Sequence, residues 1–326
     1  MASYFTRRSR KYLLLLIVAT LVCPTLAYAH QDEKKQSGQK QGETQSSRKG
    51  EQKQNRNNLQ TAVHRVSRAN DTATNKGAQT SHPLDPAILV AQKGLERIRG
   101  DITDYTCTLV KRERVNGVLG KSEYMFVKVR NRKHDAQGKL KTPFSVYLFF
   151  AKPKAAEGRE VLFVENENEG KLIAHEGNKT LIGKAASLIT LDLDPESALA
   201  MRGNRYPITE LGIENLVEKL IEVATHDRQY QECTVKFYEG AKINGRECTC
   251  LEVVHPEKRE HFRFHKARIY IDNELQVPIR FESYEWPEKK GGKPILLEEY
   301  TYLNLKINVG LKDIDFSRTN PKYKFK

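Results

Sequence analysis

The run Tyr105-Thr106-Cys107-Thr108-Leu109-Val110-Lys111-Arg112-Glu113-Arg114, then Val115-Asn116-Gly117, then Val118-Leu119-Gly120-Lys121-Ser122-Glu123-Tyr124-Met125-Phe126-Val127-Lys128-Val129-Arg130, decides the fold class. Both arms alternate in polarity, the pattern of strands whose successive side chains point to opposite faces. Asn116-Gly117 is the dipeptide that best tolerates the positive φ angles of a tight hairpin turn, so the arms are predicted to pair antiparallel. Further strands are predicted downstream at residues 144–150, 160–165, 171–175 and 179–182. After an insert they resume at 233–239, 246–254, 261–272, 278–286 and 294–307. Gly, Asn and Pro punctuate them. About eleven strands with short connections imply a mainly β (α+β) chain, an antiparallel barrel or strongly curved sheet.

Helical patterning flanks and interrupts the strands. Asp85-Pro86 announces a helix, with Asp as N-cap and Pro in its first turn. Ile88, Ala91, Leu95 and Ile98 follow at helical spacing, Arg97 and Arg99 complement the negative end of the dipole, and Gly100 is placed to end it. In the insert, residues 185–226, Asp194-Pro195 can start a short helix through Met201. A second helix repeats Ile213, Leu216, Val217, Leu220, Ile221 and Ala224 on one face, so the insert is predicted to lie apolar side down on the sheet. Strand 144–150 is apolar on both faces, with Phe144, Val146, Leu148 and Phe150 on one and Tyr147 and Phe149 on the other. Two-sided burial follows, either under a helix with an interior opposite or between two packed layers.

The chain has 326 residues, 55 basic against 41 acidic, and a formal net charge of +14. Arg7, Arg8, Arg10 and Lys11, together with a net excess of basic residues between His30 and His82, account for most of that charge. About +5 is left for the remainder, too little to suggest a nucleic-acid groove. Residues 1–29 read as a secretory signal: a basic start, an apolar core from Leu13 to Val22, Pro24, then Ala27-Tyr28-Ala29, with cleavage expected after Ala29. The core is short of the roughly 20 residues of a membrane span. Residues 30–82 are rich in Gln, Lys, Asn, Ser, Thr and Gly and are expected to form a disordered, weakly basic linker. Residues 83–326 form the folded domain.

An exported chain meets an oxidising compartment, so Cys107, Cys233, Cys248 and Cys250 are disulfide candidates. Cys248 and Cys250 share a strand face, Cys233 lies on the expected hairpin partner, and three complete pairings remain open. Paired C-x-x-C spacing is absent, and His255, His261 and His265 read as solvated side chains among Glu257, Lys258, Arg259 and Glu260; no metal or cofactor is expected. No nucleophile, P-loop or dinucleotide motif is present. Glu282, Glu285, Glu298 and Glu299 read as cross-strand surface charges rather than a hydrolytic pair. In residues 205–212, Tyr206-Pro207 imposes an extended approach, Thr209 can cap the following helix, and Arg205 either binds an anionic group at a cavity rim or ties the insert to the sheet.

Three features resemble the periplasmic lipoprotein-carrier superfamily of LolA-like and LolB-like proteins, on whose scaffold the sensor RseB is built. They are a helix leading into Asp104-Tyr105-Thr106, a strand with Tyr270-Ile271-Asp272 then Val277-Pro278-Ile279-Arg280, and the closing run from Tyr300 through Asn308, continued by Gly310-Leu311-Lys312-Asp313-Ile314-Asp315-Phe316. More closely, Pro143-Phe144-Ser145-Val146-Tyr147-Leu148, Gly158-Arg159-Glu160-Val161, Arg205-Tyr206-Pro207-Ile208-Thr209-Glu210-Leu211-Gly212 and Trp286-Pro287 are similar to a bacterial secreted family of unknown function related to that superfamily. The resemblance covers about residues 84 to 326 and implies a curved antiparallel half-barrel round a helix, with the insert as a lid. The expected function is an exported, non-enzymatic binding protein for an acyl chain or other apolar ligand. Phe126, Leu148, Phe150, Phe163 and Phe281 are the expected lining, with Arg205 and Tyr206 at the rim. The alternative is an envelope sensor or scaffold that binds a protein partner, a lipoprotein included, through the same fold; contact with a membrane would be peripheral.

Overall fold

A computed structural model describes residues 82–177 and 189–325. The export segment 1–29, linker residues 30–81, the expected strand 179–182 and the start of the insert lie outside the described residues. The strands are β1 (Asp104–Val115), β2 (Val118–Leu119), β3 (Glu123–Arg130), β4 (Lys133–His134), β5 (Leu140–Thr142), β6 (Ser145–Lys152), β7 (Glu160–Val164), β8 (Leu172–His175), β9 (Thr190–Leu193), β10 (Thr234–Ile243), β11 (Arg246–Val254), β12 (Lys266–Asp272), β13 (Pro278–Glu285) and β14 (Ile295–Ile307). Twelve make one open sheet in the order β10-β11-β12-β13-β14-β1-β3-β6-β7-β8-β9, with β2 pairing β1. Every neighbouring pair on that path is antiparallel. After β9 at one edge the chain crosses to β10 at the other and returns strand by strand until β14 seals against β1. The result is a curved half-barrel whose two edge strands, β10 and β9, have no further partner among the described residues.

Turn chemistry sets the hairpins. Asn116 and Gly117 have φ of 49° and 77°, and Asn244-Gly245 between β10 and β11 repeats the geometry with 49° and 82°. Both central residues at positive φ is the two-residue turn that matches strand twist. The predicted second arm divides at residues 120–122, where Gly120 N–H bonds back to the Glu113 carbonyl.

Two helices, α1 (Asp85–Asp101) and α2 (Ile213–Asp227), lie on one face of the sheet, called here the inner face. They run antiparallel: Arg99 at the end of α1 pairs with Glu214 and Glu218 at the start of α2, and Arg228 just past α2 pairs with Asp85. Ala87, Ile88 and Ile98 of α1 and Ile213 and Val217 of α2 are buried, as the apolar stripes predict. Asp85 proves to be inside the first turn and Leu84 to be the N-cap; the Asp85 carboxylate accepts the His82 N–H instead. Residues 194–201 form turns rather than a helix, because the Asp194 carboxylate accepts the Glu196 N–H at 2.8 Å and closes a local turn in place of a helical one.

The start of α2 is built into the sheet. Tyr105, wholly buried on β1, accepts the Ile213 N–H on its Oη at 2.9 Å and so satisfies one of the unpaired donors of the helix N-terminus. Gly212, not Thr209, is the N-cap. Its φ is 116°, and a Cβ there would stand 3.0 Å from that same Tyr105 hydroxyl, so glycine is required twice over.

On the outer face, the C-terminal segment 308–325 covers β6 to β8. Tyr323 stacks on Tyr147 at 3.9 Å, and Phe316 and Phe325 complete a cluster with Leu162, Val164 and Ile173. This second layer, anchored by the Asp104 carboxylate accepting the Gly310 and Leu311 N–H groups, explains why strand β6 is apolar on both faces.

Candidate apolar binding site

Between α1, α2 and the inner face of β11 to β13 the structure leaves a cavity of about 350 Å³. Strand parity builds its floor. Leu251 lies opposite Ile269 and Val253 opposite Ala267, and all four are buried and face the helices. Val90, Ala91 and Gly94 of α1 and Val217, Leu220 and Val223 of α2 form the walls. At one end stand Asp227 and Phe264; towards the other lie Lys93 and Arg97 of α1 and Gln276 of the β12–β13 turn, all three exposed.

The Asp227 end is polar but closed. Asp227 is 2 % exposed; its Oδ1 lies 3.0 Å from His226 Nδ1 and its Oδ2 3.4 Å from His255 Nε2. His255 is wholly buried, its Nδ1 3.1 Å from the Phe264 carbonyl oxygen. Burial holds the His255 pKa below the usual histidine value, with Asp227 opposing. His261 stacks on Tyr230 at 3.7 Å, and His265 Nδ1 lies 2.8 Å from the His255 carbonyl oxygen. The three histidines therefore diverge, and His255 is a core residue rather than a solvated one. Among the described residues no group of three His, Cys, Asp or Glu side chains is placed to hold a metal ion.

The expected lining residues separate into three places. Leu148, Phe150 and Phe163 are buried on the inner face of β6 and β7, in the packed core of the other half of the sheet. Phe281 is buried beside the cavity floor, in one cluster with Leu251, Val253, Ala267 and Ile269. Phe126 stands on the outer face at 56 % exposure, its ring stacked on Phe149 at 6.3 Å, because Met125, Val127 and Val129 take the inward positions of β3. Arg205 and Tyr206 meet the sheet away from the cavity. Arg205 Nε lies 3.3 Å from Glu298 Oε2, its Nη1 donates to the Arg114 carbonyl, and Tyr206 Oη donates to Glu298. This arginine ties the insert down. Burial raises the Glu298 pKa, with Arg205 opposing.

The other carboxylates are paired too. Arg280 Nη2 bonds Glu282 at 2.7 Å and Glu299 at 2.6 Å, all three buried, and Lys258 meets Glu285 at 3.1 Å. The disulfide expectation is corrected: all four described cysteines are free and buried. Thr234 pairs with Val254, so Cys233 lies beyond the strand end beside His255, about five residues along β11 from Cys250, or roughly 16 Å. Cys107 is on β1, four strand positions from β11. A disulfide needs Cα atoms about 5.5–6 Å apart.

The cavity residues of β11 and β12 were not singled out in the sequence, and Ala91 and Arg97 of α1 were read only as helix-face and dipole residues. One signal was present: Gly94 inside an otherwise helical pattern, a position where glycine weakens the helix.

No curated protein matches the chain. Among solved structures it is similar to a DUF1329 family protein from Desulfovibrio piger, 12% identical with a TM-score of 0.35 over 73% of this chain and 98% of that one. It is also similar to the lipoprotein LppX from Mycobacterium tuberculosis, 11% identical with a TM-score of 0.36 over 70% and 98% of the two chains. In the MucA/MucB complex of Pseudomonas aeruginosa the match is 13% identical, with a TM-score of 0.38, over 71% of this chain and 60% of that one. Residues 102–325 match the family model described as protein of unknown function DUF1571, and the chain belongs to that family.

Proposed function

We propose that the protein is an exported, non-enzymatic binding protein that holds an acyl chain or another apolar ligand between its helices and β11 to β13. The cavity carries this reading. Its floor is four buried aliphatic side chains and its polar lining is limited to Lys93, Arg97, Asp227 and Gln276, the composition of small-molecule sites that bury an apolar body and orient it by a few polar contacts. Export rests on residues 1–29, and residues 30–82 read as a spacer ahead of the folded domain. Native mass spectrometry of the purified protein, before and after organic extraction, tests it. A bound lipid mass that extraction removes is the expected result; an empty protein that takes up no fluorescent fatty acid overturns the reading.

A second reading, an envelope sensor or scaffold, is favoured by the exposed Phe126 ring stacked on Phe149. A defined envelope protein retained by the wild type and released by Phe126→Ser supports it. Equal retention by both removes it.

A further inference from the structure

Resting on that cavity reading and deepening it, we infer that the ligand is a single-chain amphiphile with an anionic headgroup, held by Lys93 and Arg97 at the mouth with its tail along the Leu251–Ala267 floor. The cavity is polarised along its length. Asp227, whose carboxylate lies beside His226 and His255, closes the end where α2 finishes against the start of α1. Arg97 is twelve residues from Asp85, about 18 Å along the helix. An anionic head would be repelled at the carboxylate end and attracted at the other.

Lys93 and Arg97 are four residues apart and so share one face of α1. Both are exposed, yet both line the same space as buried Leu251 and Ala267, the placement of side chains whose stems cover apolar surface while their charges stay in water. Several basic groups on the sheet are matched closely: Arg246 by Asp272, Arg268 by Glu252, Arg280 by Glu282 and Glu299. At the mouth they are not. Arg97 Nε reaches Asp101 only at 3.8 Å, between side chains 42% and 71% exposed, a contact of little strength, and Lys93 makes no ion pair among the described residues. Across the opening stands neutral Gln276, whose Nε2 donates to the Asn273 carbonyl at 2.6 Å. At about 350 Å³ the volume is near the bottom of the roughly 300–1,000 Å³ usual for such sites, room for one chain rather than several.

The test holds the chain constant and varies the head. The uncharged dye N-phenyl-1-naphthylamine reports occupancy of the purified protein, and dodecanoate, methyl dodecanoate and dodecylamine compete with it near neutral pH. Dodecanoate is expected to displace the dye at about tenfold lower concentration than the ester, equivalent to about 1.4 kcal/mol. High salt should shrink that ratio. The double substitution Lys93→Gln with Arg97→Gln should bring acid and ester level, and Lys93→Glu with Arg97→Glu should turn the preference to the amine. Dye binding by each variant shows that it has folded. If dye and ester bind but wild type and variants rank the heads alike, the headgroup assignment is overturned and the cavity reading stands. If neither dye nor any chain binds the wild type, both fall.

Discussion

Gly94 offers a substitution that separates binding from folding. It lies within α1 and faces the cavity, and a Cβ built on it meets no heavy atom within 4 Å. Glycine inside a helix costs about 1 kcal/mol relative to alanine, so Gly94→Ala should stabilise the protein by about that much. For a folded part of this size the melting temperature should rise by roughly 2–4 °C. Gly94→Phe keeps about half of the helix gain and adds the burial of a ring in space that is otherwise empty. Its stability should therefore equal or exceed the wild type, while the ring occupies the space a ligand chain needs. Dye displacement and thermal melting on the same samples check both halves. The expected result is at least a tenfold loss of dye and dodecanoate affinity, about 1.4 kcal/mol, with no loss of melting temperature. A Gly94→Phe protein that melts like the wild type and binds both probes like the wild type would refute the assignment of the cavity as the site.

Tyr105→Phe removes the acceptor of the Ile213 N–H in a fully buried setting and should cost about 1–3 kcal/mol; an unchanged unfolding midpoint in denaturant would show that this cap is unimportant. His255 is held below its ordinary value of 6.5, so the unfolded chain binds that proton more tightly than the folded one. Its contribution is complete above the unfolded value and is lost as pH falls towards the folded one, so melting temperature should drop on acidification below about pH 6.5. That drop should be shallower in His255→Phe, and parallel profiles for the two proteins would contradict it. In the protein cleaved after Ala29, which lacks Cys23, four thiols, those of Cys107, Cys233, Cys248 and Cys250, should titrate with a disulfide reagent in denaturant without reductant, whereas a count of two would mean a bridge. In the native state reaction should be slow, because burial pushes Cys248 up to about 11 and Cys250 up to about 12.

Hairpins were legible because a turn is a local event: Asn116-Gly117 states its own backbone angles in two residues. So were the stripes of α1 and α2, since one helix face repeats every three to four residues whatever it packs against. Phe126 shows where that legibility stopped. Residues 124–127 of β3 are apolar on both faces, and a slip of one residue moves every side chain to the other side. Val127 and Val129 set against Lys128 and Arg130 carried the parity, and the structure turns the valines inward. The histidines 255, 261 and 265 lie in a charged stretch that reads as solvated; Phe262 stacks on His255 at 3.9 Å and buries it. Neither contact has a period or a dipeptide to announce it.

Periodicity, turn dipeptides and ordered motifs act within a few residues of themselves, so the antiparallel, strand-rich class, the two amphipathic helices and the family of the chain are written in its local sequence. Which half of the sheet is filled and which is left open depends on long-range packing. Leu148, Phe150 and Phe163 meet Ile213 and Val217 in one continuous core, while Leu251, Val253, Ala267 and Ile269 face α1 across the small side chains of Ala91 and Gly94. A cavity is a shortage of atoms between elements distant in the chain, here α1, α2 and β11 to β13, and is settled by how closely those elements approach rather than by any one of them.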